Sequence, residues 1–317
     1  MPVSLVTQTE IALIWDFDKT LTTGYMQKPL FERFNVDESQ FWDEVNALEE
    51  FYEKFGLKVS SDTAYLEHTL NYVRSRKFPD LTNSILRELG AQVELAPGMP
   101  EFMQRTKDFI SANQRYVDNI ISVEHYVVST GFRQMIEGNP INEYLDGVWA
   151  CELLPDTPTA FDGKRWEGGS FDPDGVLTQI GYTIDNTTKT RAIFEINKGI
   201  NKLEGINVNA RMAADERRVP FKNMIYIADG PSDVPVFSVV GQNGGKTLAV
   251  YGDKNYDGVQ QLQDEGRVNN TAPADYSPGS AADRWLFRWI GKIADSICDD
   301  RDQRIGNFTN PAGHVTK

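Results

Sequence analysis

The sequence predicts an α/β protein: a doubly wound parallel sheet, Rossmann-like in its alternation, with a helical segment inserted after the first strand. Three observations carry this. Apolar runs at Ile11–Trp15, His125–Val128 and Met224–Ala228 pass directly into polar residues, as strands buried on both faces of a parallel sheet do. Segments of helical spacing separate these runs, the pattern of βα units. Between Gly24 and Leu95 the chain carries helical patterns alone.

The first strand, Ile11–Trp15, runs into Asp16-Phe17-Asp18-Lys19-Thr20. In the inserted stretch, Asp37 to Gln40 opens a helix with Phe41, Val45 and Leu48 near helical spacing and Gly56 as its stop. Ser61-Asp62 is expected to cap a second helix, in which Leu66, Leu70 and Val73 share a face. Thr82 is expected to cap a third, which carries Ile85, Leu86 and Leu89 and ends at Gly90. After Pro97-Gly98 a helix from about residue 100 to 112 leads to the second strand, which ends in Ser129-Thr130-Gly131. A Gly/Pro/Asp-rich region, 155–185, reads as a hairpin excursion. Thr187 to Thr190 opens a helix that closes near Gly199. A strand at Met224–Ala228 runs into Asp229-Gly230-Pro231-Ser232-Asp233, another covers Thr247–Tyr251, and Trp285–Ile297 reads as a C-terminal amphipathic helix. The expected organisation is therefore a discontinuous core, 1–22 with 95–317, and a helical cap, 23–94.

Composition narrows the functional classes. A net charge of −14 argues against a nucleic acid or an anionic membrane as partner, since both reward basic patches. It leaves room for a small phosphorylated molecule held by a local cation. Two cysteines, Cys151 and Cys298, are too few for a disulfide framework and lack metal-ligand spacing, so both are expected to be reduced core thiols. The N-terminus lacks a basic stretch followed by an apolar one, and the expected location is cytoplasmic.

Strand ends of a parallel sheet lie along one edge, and ligands bind there. That topology lets Asp16, Asp18, Ser129, Lys189, Asp229 and Asp233 converge. Four carboxylates together are unfavourable, because like charges a few ångströms apart cannot all stay ionised. A divalent cation with Lys189 offsets three, and protonation of Asp18 removes the fourth. Hard oxygen donors suit Mg²⁺, and the absence of His or Cys from these loops argues against zinc. Asp16 is then placed to attack phosphorus as a carboxylate nucleophile. Asp18 would protonate the leaving oxygen and later deprotonate water, which needs a pKa raised well above the ordinary value of about 4. Ser129 and the backbone N–H groups around Thr130 and Gly131 are expected to hold phosphoryl oxygens.

With these residues in place, a resemblance is clear. DFDKTLT, VVSTG, the helix carrying Lys189 and ADGPSD resemble, in order, the four motifs of the haloacid dehalogenase-like hydrolases, and most closely their phosphoserine-phosphatase-like branch. The resemblance covers about residues 10–22 and 95–255, and the inserted helices match that branch's helical cap. It implies Asp16 as nucleophile and metal ligand, and Asp18 as acid/base with its carbonyl on the metal. It further implies Ser129 and Lys189 as phosphate ligands, Asp229 as metal ligand and Asp233 as metal support. Two positions depart from the pattern. Ala228 replaces the first glycine of the fourth motif, and Tyr25 stands where serine-specific members have a cap glutamate. The expectation is a Mg²⁺-dependent phosphatase acting on a small phosphomonoester through an aspartyl-phosphate. A phosphotransferase with the same intermediate, or a catalytically silent binding protein, are the alternatives.

Several neighbouring features have plainer readings. Lys198 competes with Lys189, but at about 1.5 Å per residue it lies at the far end of the same helix. Gly244 to Thr247 mimics part of a phosphate-binding loop but lacks its first glycine and precedes a strand, so it reads as a turn. Asp172 to Gly175 reads as a turn, and His68 and His125 read as packing residues. Tyr25, Met26 and Lys28, next after the acidic pair, are the candidates to face the substrate.

Overall fold

The computed structural model describes residues 8–157, 171–252 and 255–309. Seven strands form one sheet in the order β4-β3-β2-β1-β5-β6-β7. These are β1 (Glu10–Trp15), β2 (Ser122–Phe132), β3 (Gly147–Leu154), β4 (Gln179–Tyr182), β5 (Met224–Ala228), β6 (Lys246–Tyr251) and β7 (Asn270–Pro273). All neighbouring pairs are parallel except β3–β4, which is antiparallel at the edge. β4 closes part of the expected 155–185 excursion; residues 158–170 of that excursion lie outside the described residues.

β1 is central, with Leu13 opposite both His125 of β2 and Ile225 of β5. Side chains alternate across a strand, and the two faces of β1 enter separate cores. Ile11, Leu13 and Trp15 pack with Phe102, Tyr276, Leu286 and Ile290, whereas Ala12 and Ile14 pack with Ile193, Ile196, Val236 and Phe237. The first core is supplied by α5 (Glu101–Ser111) and α11 (Ala281–Thr309), the second by α8 (Thr188–Lys198) and α9 (Val234–Gln242). With helices on both faces the sheet is doubly wound. β1 departs to β2 on one side and β5 on the other, which leaves a crevice past its carboxyl end.

Between β1 and α5 the chain forms a helical insertion of α1 (Lys28–Phe34), α2 (Glu38–Glu53), α3 (Ala64–Arg74) and α4 (Asn83–Gly90). A bridge between Thr22 and Leu95 holds the two ends of this insertion side by side. Asp37 caps α2 by accepting the Gln40 N–H at 2.8 Å, and Thr82 caps α4 by accepting that of Ile85 at 3.3 Å. Ser61-Asp62 does not cap α3: its N-cap position is Thr63, which makes no side-chain cap. That end is held instead by backbone bonds from Thr63 and Ala64 to the Ser60 carbonyl.

Other differences have local reasons. α1 was not expected; its proline, Pro29, lies in the first turn, where proline is compatible with a helix start. The short helices α6 (Gln114–Asp118), α7 (Arg133–Gly138) and α10 (Tyr256–Asp264), with α9, were likewise not expected. α9 accommodates its proline, Pro235, for the same reason as α1, since that residue also lies in the first turn. α11 extends beyond Trp285–Ile297 at both ends: Ser280 Oγ accepts the Asp283 N–H at 3.1 Å at its start, and Arg115 of α6 pairs with Asp299 and Asp302 in its C-terminal part. Among the described residues no helix is long and apolar enough to cross a membrane.

Candidate active site

β1 ends at Trp15, but the Asp16 N–H still donates to the Ile227 carbonyl of β5 at 2.9 Å. The carboxylate of Asp16 is thereby fixed at the crevice beside β5. Beyond it the chain turns, with the Leu21 N–H donating to the Phe17 carbonyl at 2.9 Å and Lys19 in a left-handed conformation at φ 55°. The turn brings residue 26 back over the acidic pair, where the Met26 N–H donates to Asp18 Oδ1 at 2.8 Å.

Lys189 reaches the same place from α8. Asp185 caps that helix, its Oδ1 accepting the N–H groups of Thr187 at 2.8 Å and Thr188 at 2.6 Å. Gly199 ends it at φ 76°. Lys189, in the first turn, is buried and donates from Nζ to Asp16 Oδ1 at 2.9 Å and to Asp233 Oδ1 at 2.6 Å. Lys198, at the other end, donates to the carbonyls of Val208 and Ala210. β5 delivers Asp229 and Asp233 through a turn in which the Asp233 N–H donates to the Gly230 carbonyl at 3.1 Å. Asp233 is fully buried and also accepts from the Tyr226 hydroxyl and, at 2.8 Å, from Ser232 Oγ. The Asp229 carbonyl is held by Asn255 Nδ2 at 2.9 Å.

Asp16, Asp229 and Asp233 each offer one carboxylate oxygen within 4.8 Å of the others. The donors are hard oxygens, Asp16 and Asp233 are buried and Asp229 half-buried, and Lys189 is the single cation in contact with them among the described residues. This set fits a hard divalent cation such as Mg²⁺. The Asp18 carboxyl stands apart from the three. Burial, reinforced by the charges of Asp16 and Asp229, pushes it up to about 8. Burial likewise raises Asp16, against the attraction of Lys189, and raises Asp229, reinforced by Asp16. Burial works against the Lys189 ammonium, but Asp16 and Asp233 outweigh it and hold the amine well above the usual lysine range.

Ser129, Thr130 and Gly131 lie at the end of β2, next to β1, where the pairing with β3 is irregular between Val128 and Phe132. Two backbone donors of this stretch are engaged. The Gly131 N–H donates to Ser129 Oγ at 3.0 Å, and that of Phe132 to Met26 Sδ at 3.1 Å. α7 starts only at Arg133, so these residues are not the first turn of a helix. The Thr130 carbonyl accepts from the Tyr65 hydroxyl of α3 and from Cys151 Sγ. Of the three residues placed near the substrate, Met26 is buried against Gly131, and Tyr25 is half-exposed beside Lys19. Lys28 points away to solvent and pairs with Glu32 at 3.8 Å.

His125 and His68 are packing residues: Trp15 Nε1 donates to His125 Nδ1 at 3.2 Å, and His68 Nε2 lies 2.8 Å from Glu44. Both cysteines are free and buried. A cleft of about 440 Å³ lined by Arg133, Trp149, Glu152, Tyr182 and Arg191 contains none of the four carboxylates. Tyr226, Tyr65, Ser232 and Asn255 were not singled out from sequence. Tyr226 had one legible signal, a hydroxyl inside an otherwise apolar strand; the others had none.

No family model matches the chain. An uncharacterized protein of Borreliella burgdorferi is 38% identical over 286 residues, which cover 88% of this chain and 96% of that protein. Among solved structures, a HAD (haloacid dehalogenase-like) family hydrolase from Salmonella enterica serovar Typhi superposes with a TM-score of 0.52. The match is 11% identical and covers 85% of this chain and 69% of that one. A phosphoserine phosphatase holding a phospho-aspartyl intermediate analogue gives a TM-score of 0.47 at 16% identity, covering 83% and 93% of the two chains. The first of these establishes the fold.

Proposed function

This chain belongs to one family with the Borreliella protein and has the haloacid dehalogenase-like hydrolase fold, and on that premise we propose that it is a phosphatase of small phosphomonoesters. The observation that carries the reading is the junction of Asp16, Asp229 and Asp233 around Lys189, with the Asp18 carboxyl, its pKa raised by burial and by the charge of Asp16, beside them.

Asp16 attacks phosphorus, forming an acyl phosphate as the bond to the leaving oxygen breaks. Asp18 gives its proton to that oxygen. As a carboxylate, Asp18 then takes a proton from water, which attacks phosphorus, releases phosphate and restores Asp16. Lys189 and Ser129 hold the phosphoryl oxygens. A Mg²⁺ ion held by Asp16, Asp229, Asp233 and the Asp18 carbonyl would supply charge neutralisation for the phosphoryl group. Residues 23–94 act as the cap over a core of 1–22 and 95–317, supported by the bridge that closes the base of the insertion. The free buried thiols suit a cytoplasmic enzyme.

The test is hydrolysis of p-nitrophenyl phosphate and a panel of phosphorylated metabolites, with Mg²⁺ or EDTA, beside Asp16→Asn. The substitution should reduce turnover by about a thousandfold or more, as loss of a covalent nucleophile does, and EDTA should suppress it. Undiminished hydrolysis by Asp16→Asn would falsify the mechanism. No turnover of any ester by the unaltered protein favours a silent binding role.

A further inference from the structure

Among the described residues, Lys19 is a cation at this crevice that the chemistry above does not use. It is a non-glycine residue at φ 55°, a conformation that persists where the surroundings over-determine it and that clusters at functional sites. Here its N–H is held by Thr22 Oγ1 and the Gly24 carbonyl, both at 3.2 Å. The ammonium lies 3.8 Å from the centroid of the Tyr25 ring, a cation–π contact that orients a charge without neutralising it. Lys189 makes two ion pairs with the acidic cluster; Lys19 makes none within 4.0 Å among the described residues.

The position matters as much as the charge. Lys19 follows Asp18, and the residue after Tyr25 donates its N–H to Asp18, so the Lys19–Tyr25 pair flanks the group that protonates the leaving oxygen. Tyr25 is 44% exposed and its ring also lies 6.0 Å from that of Trp42 on α2. The pair therefore stands at the rim between core and insertion, on the side where the alcohol portion of an ester would lie.

We infer that Lys19, oriented by Tyr25, binds a second anionic group on the substrate, so that the preferred esters carry a carboxylate or a second phosphate on their alcohol portion. This rests on the phosphatase reading, from which the leaving-group side is defined. In a chain of net charge −14, an unpaired ammonium at the rim is also the local attraction such a dianionic ester needs.

The test measures competitive inhibition of p-nitrophenyl phosphate hydrolysis by ethyl phosphate, phosphoglycolate and propane-1,3-diol bisphosphate. The unaltered protein, Lys19→Met and Lys19→Arg are compared, each first shown to be folded by thermal melting. Lys19→Met should weaken inhibition by the two doubly anionic esters at least tenfold more than inhibition by ethyl phosphate. Lys19→Arg should keep most of the preference. The ester that loses more identifies the second group as carboxylate or phosphate. If all three weaken equally within twofold, or none changes, Lys19 only offsets the acidic cluster and the inference is overturned. Failure of the unaltered protein to hydrolyse p-nitrophenyl phosphate or any ester of the metabolite panel instead removes the phosphatase reading, a result readable before any variant is made.

Discussion

Asp18 is the side chain whose environment most changes its chemistry. In water it would be almost wholly ionised at neutral pH; burial near Asp16 pushes it up to about 8, so it holds a proton to give. For an alkyl phosphate, kcat/KM should therefore fall as pH rises through that region. A Mg²⁺ ion nearby favours the ionised form and sets this limb at or below pH 8. Asp18→Asn should cost about a hundredfold to ten-thousandfold in kcat/KM for an alkyl ester and clearly less for p-nitrophenyl phosphate, whose leaving group departs without a proton. Equal losses for both esters would argue that Asp18 serves only to shape the turn. At this scale the sequence was partly legible. Lys189 could be preferred to Lys198 from helix length alone, whereas Tyr65 acquires its role through a contact with Thr130, distant in the chain, and Tyr226 through the turn that brings Asp233 back onto its hydroxyl.

The insertion is joined to the core through glycines as well as through its closing bridge. A Cβ at Gly90, the last residue of α4, would lie 2.0 Å from the Met135 carbonyl oxygen of α7, and one at Gly138 of α7 would lie 2.1 Å from that of Arg87. The two backbones approach reciprocally, and backbone cannot step aside as a side-chain end can. Gly90→Ala should therefore destabilise the protein by about 1–3 kcal/mol, the usual range for overpacking. Gly258, within α10, has nothing within 4 Å of a Cβ, and Gly258→Ala should stabilise by up to about 1 kcal/mol through helix propensity. Denaturant melts of the two variants check both signs. β1, β2, β5 and β6 were legible because they are continuous apolar runs, whereas β3, eight residues long, was not, its run being opened by Gly147 and interrupted by Glu152. The short helices and β7 were not, since segments of this length owe their structure to packing rather than to periodicity.

Across the whole molecule, acidity concentrated in one crevice ties stability to pH. Asp16, Asp18 and Asp229 all have raised pKa values, so between their ordinary and raised values the folded chain binds more protons than the unfolded one. Stability then falls as pH rises through that window. His125, lowered to about 3 by burial, acts oppositely, but only below its ordinary pKa of about 6.5. The metal-free protein should therefore melt at a lower temperature at pH 8.5 than at pH 6.5. Added Mg²⁺ should raise the melting temperature more at the higher pH, because a ligand that binds only the folded state stabilises it. A melting temperature insensitive to both would mean that Asp16, Asp229 and Asp233 do not share one cation.

Local pattern determined the buried strands, the helical character of the insertion and the order of the four acidic, hydroxyl and lysine motifs, because each is written in contiguous residues. The tertiary structure alone decided which groups meet. It turned Lys28 outward, closed Met26 over Gly131 and linked Tyr226 to Asp233. It also laid Lys19 on Tyr25 and left the donors of residues 131 and 132 already bonded. Those outcomes depend on strand order, a left-handed turn and helix packing: Met26 meets Gly131 from far along the chain, while Lys19 meets Tyr25 and Tyr226 meets Asp233 only because the backbone folds back within each loop, which side-chain spacing does not record.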